Sequence, residues 1–198
     1  MLFLPKAFGL TLAVYFVVTL SYSLRLKAIA SVDILLLSFL YTIRVVAGAT
    51  AINVDFSFWL LAFSMFLFFS LAIVKRVSEL INMEKQNKTK ASGRGYGVED
   101  KSILQSLGAA SGYMAVLVLA LYINSPEVVP LYNQPQILWL MCLLILFWTT
   151  RVWMLTARGE MNEDPIVFAI KDKGSWLVGA LAAVVLVLAT GSFISFTP

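Results

Sequence analysis

The sequence predicts an all-α integral membrane protein, a single transmembrane domain of about six helices over residues 1–198. Hydrophobic residues make up 60% of the chain and charged residues only 13%, which leaves too little polar surface for a soluble globular domain. Several apolar runs reach the ~20 residues with which a helix crosses a bilayer. None of them alternates as a β-barrel strand does, so the crossing segments are expected to be helices.

Six apolar runs account for these helices, and they occupy residues 5–24, 33–53, 56–79, 103–124, 135–157 and 175–196. The first run is too long for a signal peptide, and no small-residue cleavage site follows it. The fifth contains the single cysteine, Cys142, which we expect to pack as a small buried side chain. In the second run, Gly48 with Ala47 and Ala51 is expected to allow close packing of another helix.

Positive charge alternates between the connections. Twelve of the fifteen Lys and Arg residues follow the first, third and fifth runs, and seven of them lie in residues 75–102. The other two connections contain none. The positive-inside rule therefore places the connections rich in Lys and Arg, including the loop 80–102, in the cytoplasm. The net charge of +4 thus indicates orientation in the membrane rather than nucleic-acid binding. Because this topology puts the N-terminus outside, we expect an odd number of preceding helices in a larger protein.

Arg44 lies inside the second run, about 16 Å from its start at 1.5 Å per residue. A charge near the middle of the membrane is costly and normally faces a cavity or a partner. Two interpretations remain open. Arg44 is either a structural residue bonded to carbonyls or to a carboxylate of another helix, or part of an anion-binding site.

The third run ends in "VKRVSEL", where Lys75 and Glu79 share a helix face and Arg76 points about 100° away. This pattern fits an interfacial salt bridge with snorkelling side chains, or a clamp for phosphate. In "SGRGYGVED", glycines alternate around Arg94. They are compatible with a backbone nest for phosphate and with an ordinary turn, but they match neither a Walker A nor a Rossmann motif.

The segment "RGEMNEDPIVFAIKD" follows the fifth run. Pro165 is expected to open a short interfacial helix with Asp164 as its N-cap. Its carboxylates either hold Mg²⁺ through water or belong to a solvated charged loop. The basic groups, glycines and carboxylates of the three rich connections share one face, which indicates a site for a phosphorylated, Mg²⁺-bound substrate.

Five segments resemble the UbiA-type prenyltransferase superfamily, and most closely its decaprenyl-phosphate phosphoribosyltransferase-like members. They are "YSLRLK", "DILLLSFLYTIRVVAGA", "KRVSEL", "GRGY" and "RVWMLTARGEMNEDPIVFAIKD". The resemblance covers essentially the whole chain. It implies a nine-helix bundle around a cavity open to the cytoplasm and to lipid, in a bacterial plasma membrane. The six runs would be helices 4–9, the C-terminal two-thirds of that bundle.

The resemblance also implies an activity, the Mg²⁺-dependent transfer of a phosphoribosyl group from 5-phosphoribosyl diphosphate to a polyprenyl phosphate. The implied phosphate-binding and cavity residues are Lys75, Arg76, Arg94, Tyr22, Lys27 and Arg44. The carboxylates that would bind Mg²⁺ through water are Glu79, Asp100, Asp164 and Asp172.

The chain departs from the family at both acidic motifs. The first, NDxxDxxxD, has no counterpart, and basic residues at 75–76 stand where the second has acids. We therefore expect no activity from the chain alone, and a partner polypeptide that supplies the missing helices and motif. The alternatives are prenyl transfer to an aromatic acceptor and a non-catalytic lipid-binding subunit or degenerate remnant. A transporter ranks last because no inverted repeat is evident.

Overall fold

The computed structural model describes residues 5–54, 57–87, 94–126, 128–161 and 164–191, and the fold is all-helical. Its seven α-helices are α1 (Lys6–Leu24), α2 (Val32–Ala51), α3 (Phe58–Lys85), α4 (Lys101–Ile123), α5 (Trp139–Ala157), α6 (Pro165–Lys171) and α7 (Lys173–Thr190). In the described part of the chain, all but α6 are long and apolar enough to cross a membrane. This confirms the prediction of six membrane-crossing helices, and with it an integral membrane protein.

The third helix is longer than predicted. The apolar run suggests 56–79, whereas α3 ends at Lys85 and has 28 residues. At 1.5 Å per residue it is about 42 Å long, more than the ~30 Å of a hydrocarbon core. The extension is helical because Val77, Leu80 and Ile81 continue the buried stripe of α3 past the first charged residues. Glu84 and Lys85, assigned to the loop 80–102, therefore lie on a rigid helix.

Helix α3 is at the centre of the bundle. It packs along α2 and α4 and also contacts α5 and α6. Ile73, Val74 and Val77 of α3 are fully buried, and they form one core cluster with Leu104 of α4 and Trp153 of α5. This core fixes the rotation of α3 about its axis, and so decides where each polar residue at its end points.

Among the described residues, close helix packing occurs at glycines of α4 rather than at Gly48. A Cβ atom on Gly112 would lie 2.5 Å from Cγ2 of Thr149 on α5. At Gly108, Ser70 of α3 donates a hydrogen bond to the carbonyl oxygen at 2.7 Å. A Cβ atom on Gly48 would meet nothing within 4 Å among the described residues, so close packing there stays a prediction. Small residues permit an approach, but the position of the neighbouring helix decides whether it occurs.

The two ends of α6 are capped by aspartates. Asp164 accepts a hydrogen bond from the backbone N–H of Ile166 at 3.0 Å, which confirms the predicted N-cap. Asp172 ends α6 and caps α7, where it accepts from the N–H of Ser175 at 2.7 Å. Cys142 is buried and free, as expected for a packing residue.

Candidate functional site

Two groups of polar residues lie at the end of the bundle predicted to face the cytoplasm. We call Tyr22, Asp33, Arg76, Glu79 and Arg94 the arginine cluster, and Tyr41, Lys75 and Asp164 the lysine cluster. Both are organised by α3, because consecutive residues on a helix point about 100° apart. Arg76 is directed towards the start of α2, and Lys75 towards the start of α6.

Arg76 and Asp33 form the buried centre of the arginine cluster. Their side chains are 2% and 0% exposed, and Nε of Arg76 donates to Oδ2 of Asp33. Arg76 Nη2 also donates to Asp33 Oδ1 at 3.2 Å and to the hydroxyl of Tyr22 at 3.1 Å. Its Nη1 donates to Oε1 of Glu79 at 2.6 Å. A buried charge is tolerable only when it is paired and hydrogen-bonded, and all three nitrogens of this guanidinium have such partners.

Arg94 closes the cluster from the other side. Its Nη1 lies 3.3 Å from Asp33 Oδ1, and its Nε lies 3.3 Å from Glu79 Oε2. The side chains of Arg94 and Glu79 are 23% and 35% exposed, so this edge is the accessible one. The charges of two guanidinium groups and two carboxylates cancel, so the arginine cluster has no net charge.

The loop that carries Arg94 packs directly on the connection between α1 and α2. A Cβ atom on Gly95 would lie 2.7 Å from the backbone nitrogen of Ala30, so this approach requires glycine. The hydroxyl of Tyr96 accepts a hydrogen bond from the N–H of Ser31 at 2.7 Å. Burial raises the pKa of the Tyr96 phenol, which keeps the hydroxyl protonated. These contacts fix the backbone beside Arg94.

Gly95 and Gly97, the two described glycines of this loop, do not form the nest that the sequence allows. Neither Gly95 nor Gly97 has a positive φ, and a nest needs the left-handed conformation. Gly93 lies outside the described residues. Gly95 is explained by the close approach of two backbones, so within residues 94–97 the Arg94 side chain is the candidate for anion binding.

In the lysine cluster, Lys75 Nζ donates to Oδ2 of Asp164 at 2.5 Å, and the side chains are 30% and 23% exposed. The hydroxyl of Tyr41 donates to the same oxygen at 3.4 Å. Burial alone would raise the pKa of the Asp164 carboxyl. The hydrogen bonds from Lys75 and from the backbone N–H of Ile166 outweigh it and hold the pKa below its ordinary value.

A salt bridge between Lys75 and Glu79, one of the two interpretations of this segment, is not formed. Glu79 instead bonds Arg76, three residues before it, while Lys75 finds Asp164. The helical spacing brings Lys75 and Glu79 to one face, but it does not show that α6 places a carboxylate within reach of that lysine.

Tyr41 connects the lysine cluster to Arg44, one turn further along α2. The guanidinium carbon of Arg44 lies 5.1 Å from the centre of the Tyr41 ring and 5.5 Å from that of Tyr15. Its Nη2 donates to the hydroxyl of Tyr15 at 2.8 Å. Arg44 is exposed, and no carboxylate of the described residues forms an ion pair with it.

The four carboxylates predicted to bind Mg²⁺ are distributed among different partners. Asp100 accepts from the N–H of Gly97 at 2.9 Å, and Asp172 accepts from Arg151 at 2.7 and 3.0 Å. Burial would raise the pKa of Asp172, but the bonds from Arg151 and Ser175 lower it. Glu79 and Asp164 are bonded to cations as described above.

No group of three or more acidic or cysteine side chains within the described ranges could hold a metal ion. Mg²⁺ is commonly held by one or two carboxylates together with water and substrate phosphates, so its binding by these residues stays a prediction. Lys27 is exposed in the short 3₁₀ turn Leu26–Ala28 and contributes to neither cluster.

Asp33 was missed by the sequence interpretation, although it is the most connected acid of the site. In the sequence it is simply the first residue of the apolar run 33–53. The available signal was its place in the first turn of a membrane-crossing helix, at the same end as the arginine-rich connection. Tyr41 was missed as well, because a tyrosine within an apolar helix is ordinarily a packing residue.

Comparison with known proteins gives two relatives. No protein-family model matches the chain. The chain is 38% identical over 189 residues to "Uncharacterized protein y4nM" of Sinorhizobium fredii, an alignment that covers 95% of this chain and 37% of the relative. It is 34% identical over 177 residues to "Nodulation protein NoeC" of Azorhizobium caulinodans, covering 87% of this chain and 56% of the relative. Nearly the whole chain is thus similar to part of two longer proteins, and it spans about a third and about half of their lengths.

Proposed function

We propose that the chain is part of a membrane transferase that binds a diphosphate substrate at the arginine and lysine clusters. The reaction would be phosphoribosyl transfer from 5-phosphoribosyl diphosphate to a polyprenyl phosphate, as the resemblance to UbiA-type enzymes implies. The observation that carries the proposal is the position of two accessible cations, Lys75 and Arg94, on either side of the buried Arg76 at one end of the bundle.

Arg94 is the cation best suited to bind phosphate. Both of its ion-pair distances are 3.3 Å, against 2.6 Å for the bond between Arg76 and Glu79. An incoming phosphate can replace Glu79, because that carboxylate is partly exposed and can turn to solvent. Guanidinium groups bind phosphate oxygens through paired N–H donors, which favours this exchange.

Arg76 and Lys75 have different parts in this proposal. Arg76 is buried with all three nitrogens engaged, so it holds Asp33 and Glu79 in place. Lys75 is 30% exposed and is the second cation that faces the substrate.

In the proposed reaction an oxygen of the lipid phosphate attacks C1 of the ribose, and the bond from C1 to the diphosphate oxygen breaks. Negative charge then accumulates on the departing diphosphate. Preorganised cations at the place where charge develops are usually the largest contribution to catalysis. Arg94 and Lys75 would supply that stabilisation.

The nodulation protein of Azorhizobium caulinodans extends the proposal to a biological role. The shared region includes most of this chain. That protein is named a nodulation protein. We propose that this chain shares the role, and that the product of its reaction is used in nodulation.

A second candidate function is that of a non-catalytic lipid-binding subunit. The observation in its favour is the internal neutrality of the clusters, since each of Lys75, Arg76 and Arg94 already has a carboxylate partner. In that case the clusters would only hold the helices together.

Binding of radiolabelled 5-phosphoribosyl diphosphate to the purified chain in lipid nanodiscs distinguishes the two candidates. We expect saturable binding, and a loss of about tenfold or more in Arg94→Gln, because hydrogen bonds to charged groups contribute about 1.5–3 kcal/mol. Lys101→Gln is the matched control, since Lys101 pairs with Glu84 outside both clusters. Absence of saturable binding in the wild type would favour the non-catalytic subunit. Release of diphosphate in the presence of a polyprenyl phosphate, with a polypeptide that supplies the acidic motif, tests the transfer itself.

A further inference from the structure

Arg44 is an exposed cation far from both ends of a membrane-crossing helix. Twelve residues separate it from the start of α2, about 18 Å, and seven separate it from Ala51, about 10 Å. An arginine at this depth could extend towards the nearer end of the helix. Instead its guanidinium lies against the ring of Tyr41, one turn back towards the lysine cluster, and against Tyr15 of α1. The charge is therefore held within the membrane-crossing part of the bundle.

The contacts of Arg44 are all to neutral groups in the described part of the chain. They are one hydroxyl and two aromatic rings. These contacts fix the position of the guanidinium without cancelling its charge. An arginine inside a membrane is rare and is normally paired or faces a water-filled cavity. The arrangement leaves a preorganised cation with N–H donors available for an anion.

The surface around Arg44 is suited to a helix. None of the described residues of α1 is buried, and large apolar side chains such as Leu10, Phe16 and Val17 are exposed along it. Exposed apolar side chains on a membrane-crossing helix face either lipid or another helix, and a further helix can pack against them.

We propose that the face formed by α1 and α2 docks a further membrane-crossing helix that carries an Asp or Glu near its middle, and that this carboxylate pairs with Arg44. Charge complementarity selects this occupant. A second copy of the chain does not provide it, because none of the eleven acidic residues lies near the middle of a membrane-crossing helix. A phospholipid headgroup stays at the membrane surface, away from a guanidinium held at this depth. The inference does not depend on the proposed transfer reaction.

Synthetic membrane-crossing peptides of Leu and Ala with one central residue test the proposal. The full chain, labelled with a fluorescent donor, is reconstituted in phosphatidylcholine vesicles at pH 8 with acceptor-labelled peptides that carry Glu, Gln or Lys. We expect the Glu peptide to bind about tenfold more tightly than the Gln peptide, since interhelical polar contacts contribute about 1–2 kcal/mol in model peptides. Arg44→Lys should keep this preference, Arg44→Gln should abolish it, and Arg44→Glu should favour the Lys peptide.

Equal binding of the Glu and Gln peptides by the wild type would overturn the proposal. A competition with farnesyl phosphate tests whether the anion that pairs with Arg44 is a lipid phosphate instead of a carboxylate. If farnesyl phosphate binds in an Arg44-dependent manner and the Glu peptide does not displace it, this face belongs to a lipid substrate and the docking proposal fails. If Arg44→Glu binds the Lys peptide more tightly than the Glu peptide, the variant is still folded, and the altered preference is due to the charge at position 44.

Discussion

Lys75 and Arg76 are adjacent in the sequence, yet they bind carboxylates on different elements: Lys75 donates to Asp164 before α6, and Arg76 to Asp33 in the first turn of α2. These acids lie 89 and 43 residues from their partners. One turn of α3 thus connects the hairpin of α1 and α2 to the segment that contains α6. The polar site and the connection between these two parts are formed by the same side chains.

Asp33→Asn should be strongly destabilising. The substitution removes the fully buried one of the two carboxylates that pair with Arg76, and removing one partner of a buried pair costs about 3–5 kcal/mol. Unfolding of the chain in mixed detergent micelles, followed by circular dichroism, measures the change. Glu84→Gln is the control, because the pair of Glu84 with Lys101 is exposed and should contribute about 0–1 kcal/mol. Similar losses for the two variants would show that Asp33 has no special structural role.

Three glycines should respond differently to alanine. Gly95→Ala should displace the 94–97 loop, because the new Cβ would collide with the backbone of Ala30. Gly97→Ala should be tolerated better, since the three atoms nearest to the new Cβ belong to the flexible side chain of Glu99. Gly48→Ala lies in a helix with open space around it and should stabilise α2 by up to about 1 kcal/mol.

Hydrogen exchange of residues 94–100 measures the first two glycine substitutions, and the free energy of unfolding measures the third. We expect faster exchange only for the substitution at 95. Unchanged protection in that variant would contradict the tight contact with the α1–α2 connection.

The contacts of Asp164 should persist in moderately acidic solution. Its folded pKa is below the ordinary value of 3.8, so its contribution to stability is present above that pH. The contribution is lost as the pH falls below 3.8 through the folded pKa. Hydrogen exchange at the N-terminus of α6, corrected for intrinsic rates, should show this loss in the wild type and little pH dependence in Asp164→Asn. A transition centred well above pH 4 would contradict the prediction.

The charge distribution predicts which connections face the cytoplasm. A cysteine placed at Asn87, in a Cys142→Ser background, should not react with an impermeant maleimide added to intact cells. A cysteine at Asn133 should react, because the 125–134 connection contains no Lys or Arg. Reaction at position 87 in cells shown to be sealed would reverse the topology.

The helices could be predicted from the sequence, but most partners within the site could not. Runs of apolar residues and the Asp164–Pro165 cap are local signals, and both led to elements that the structure contains. The end of α3 at Lys85 depends on a buried stripe that continues among charged residues. Lys75 pairs with Asp164 because of where α6 lies in the fold. The spacing of residues along α3 does not predict that position.

The neutrality of the arginine cluster has a kinetic consequence. By sequence position, the connections at this end of the bundle and the adjoining helix ends contain twelve basic and nine acidic residues, so the excess of positive charge lies around the clusters rather than within them. Surrounding charges mainly affect the rate at which an anion arrives, while contacts at a paired, partly buried group mainly affect how long it stays. Added salt should therefore slow the arrival of a phosphorylated ligand, and a change at Arg94 should shorten its residence time.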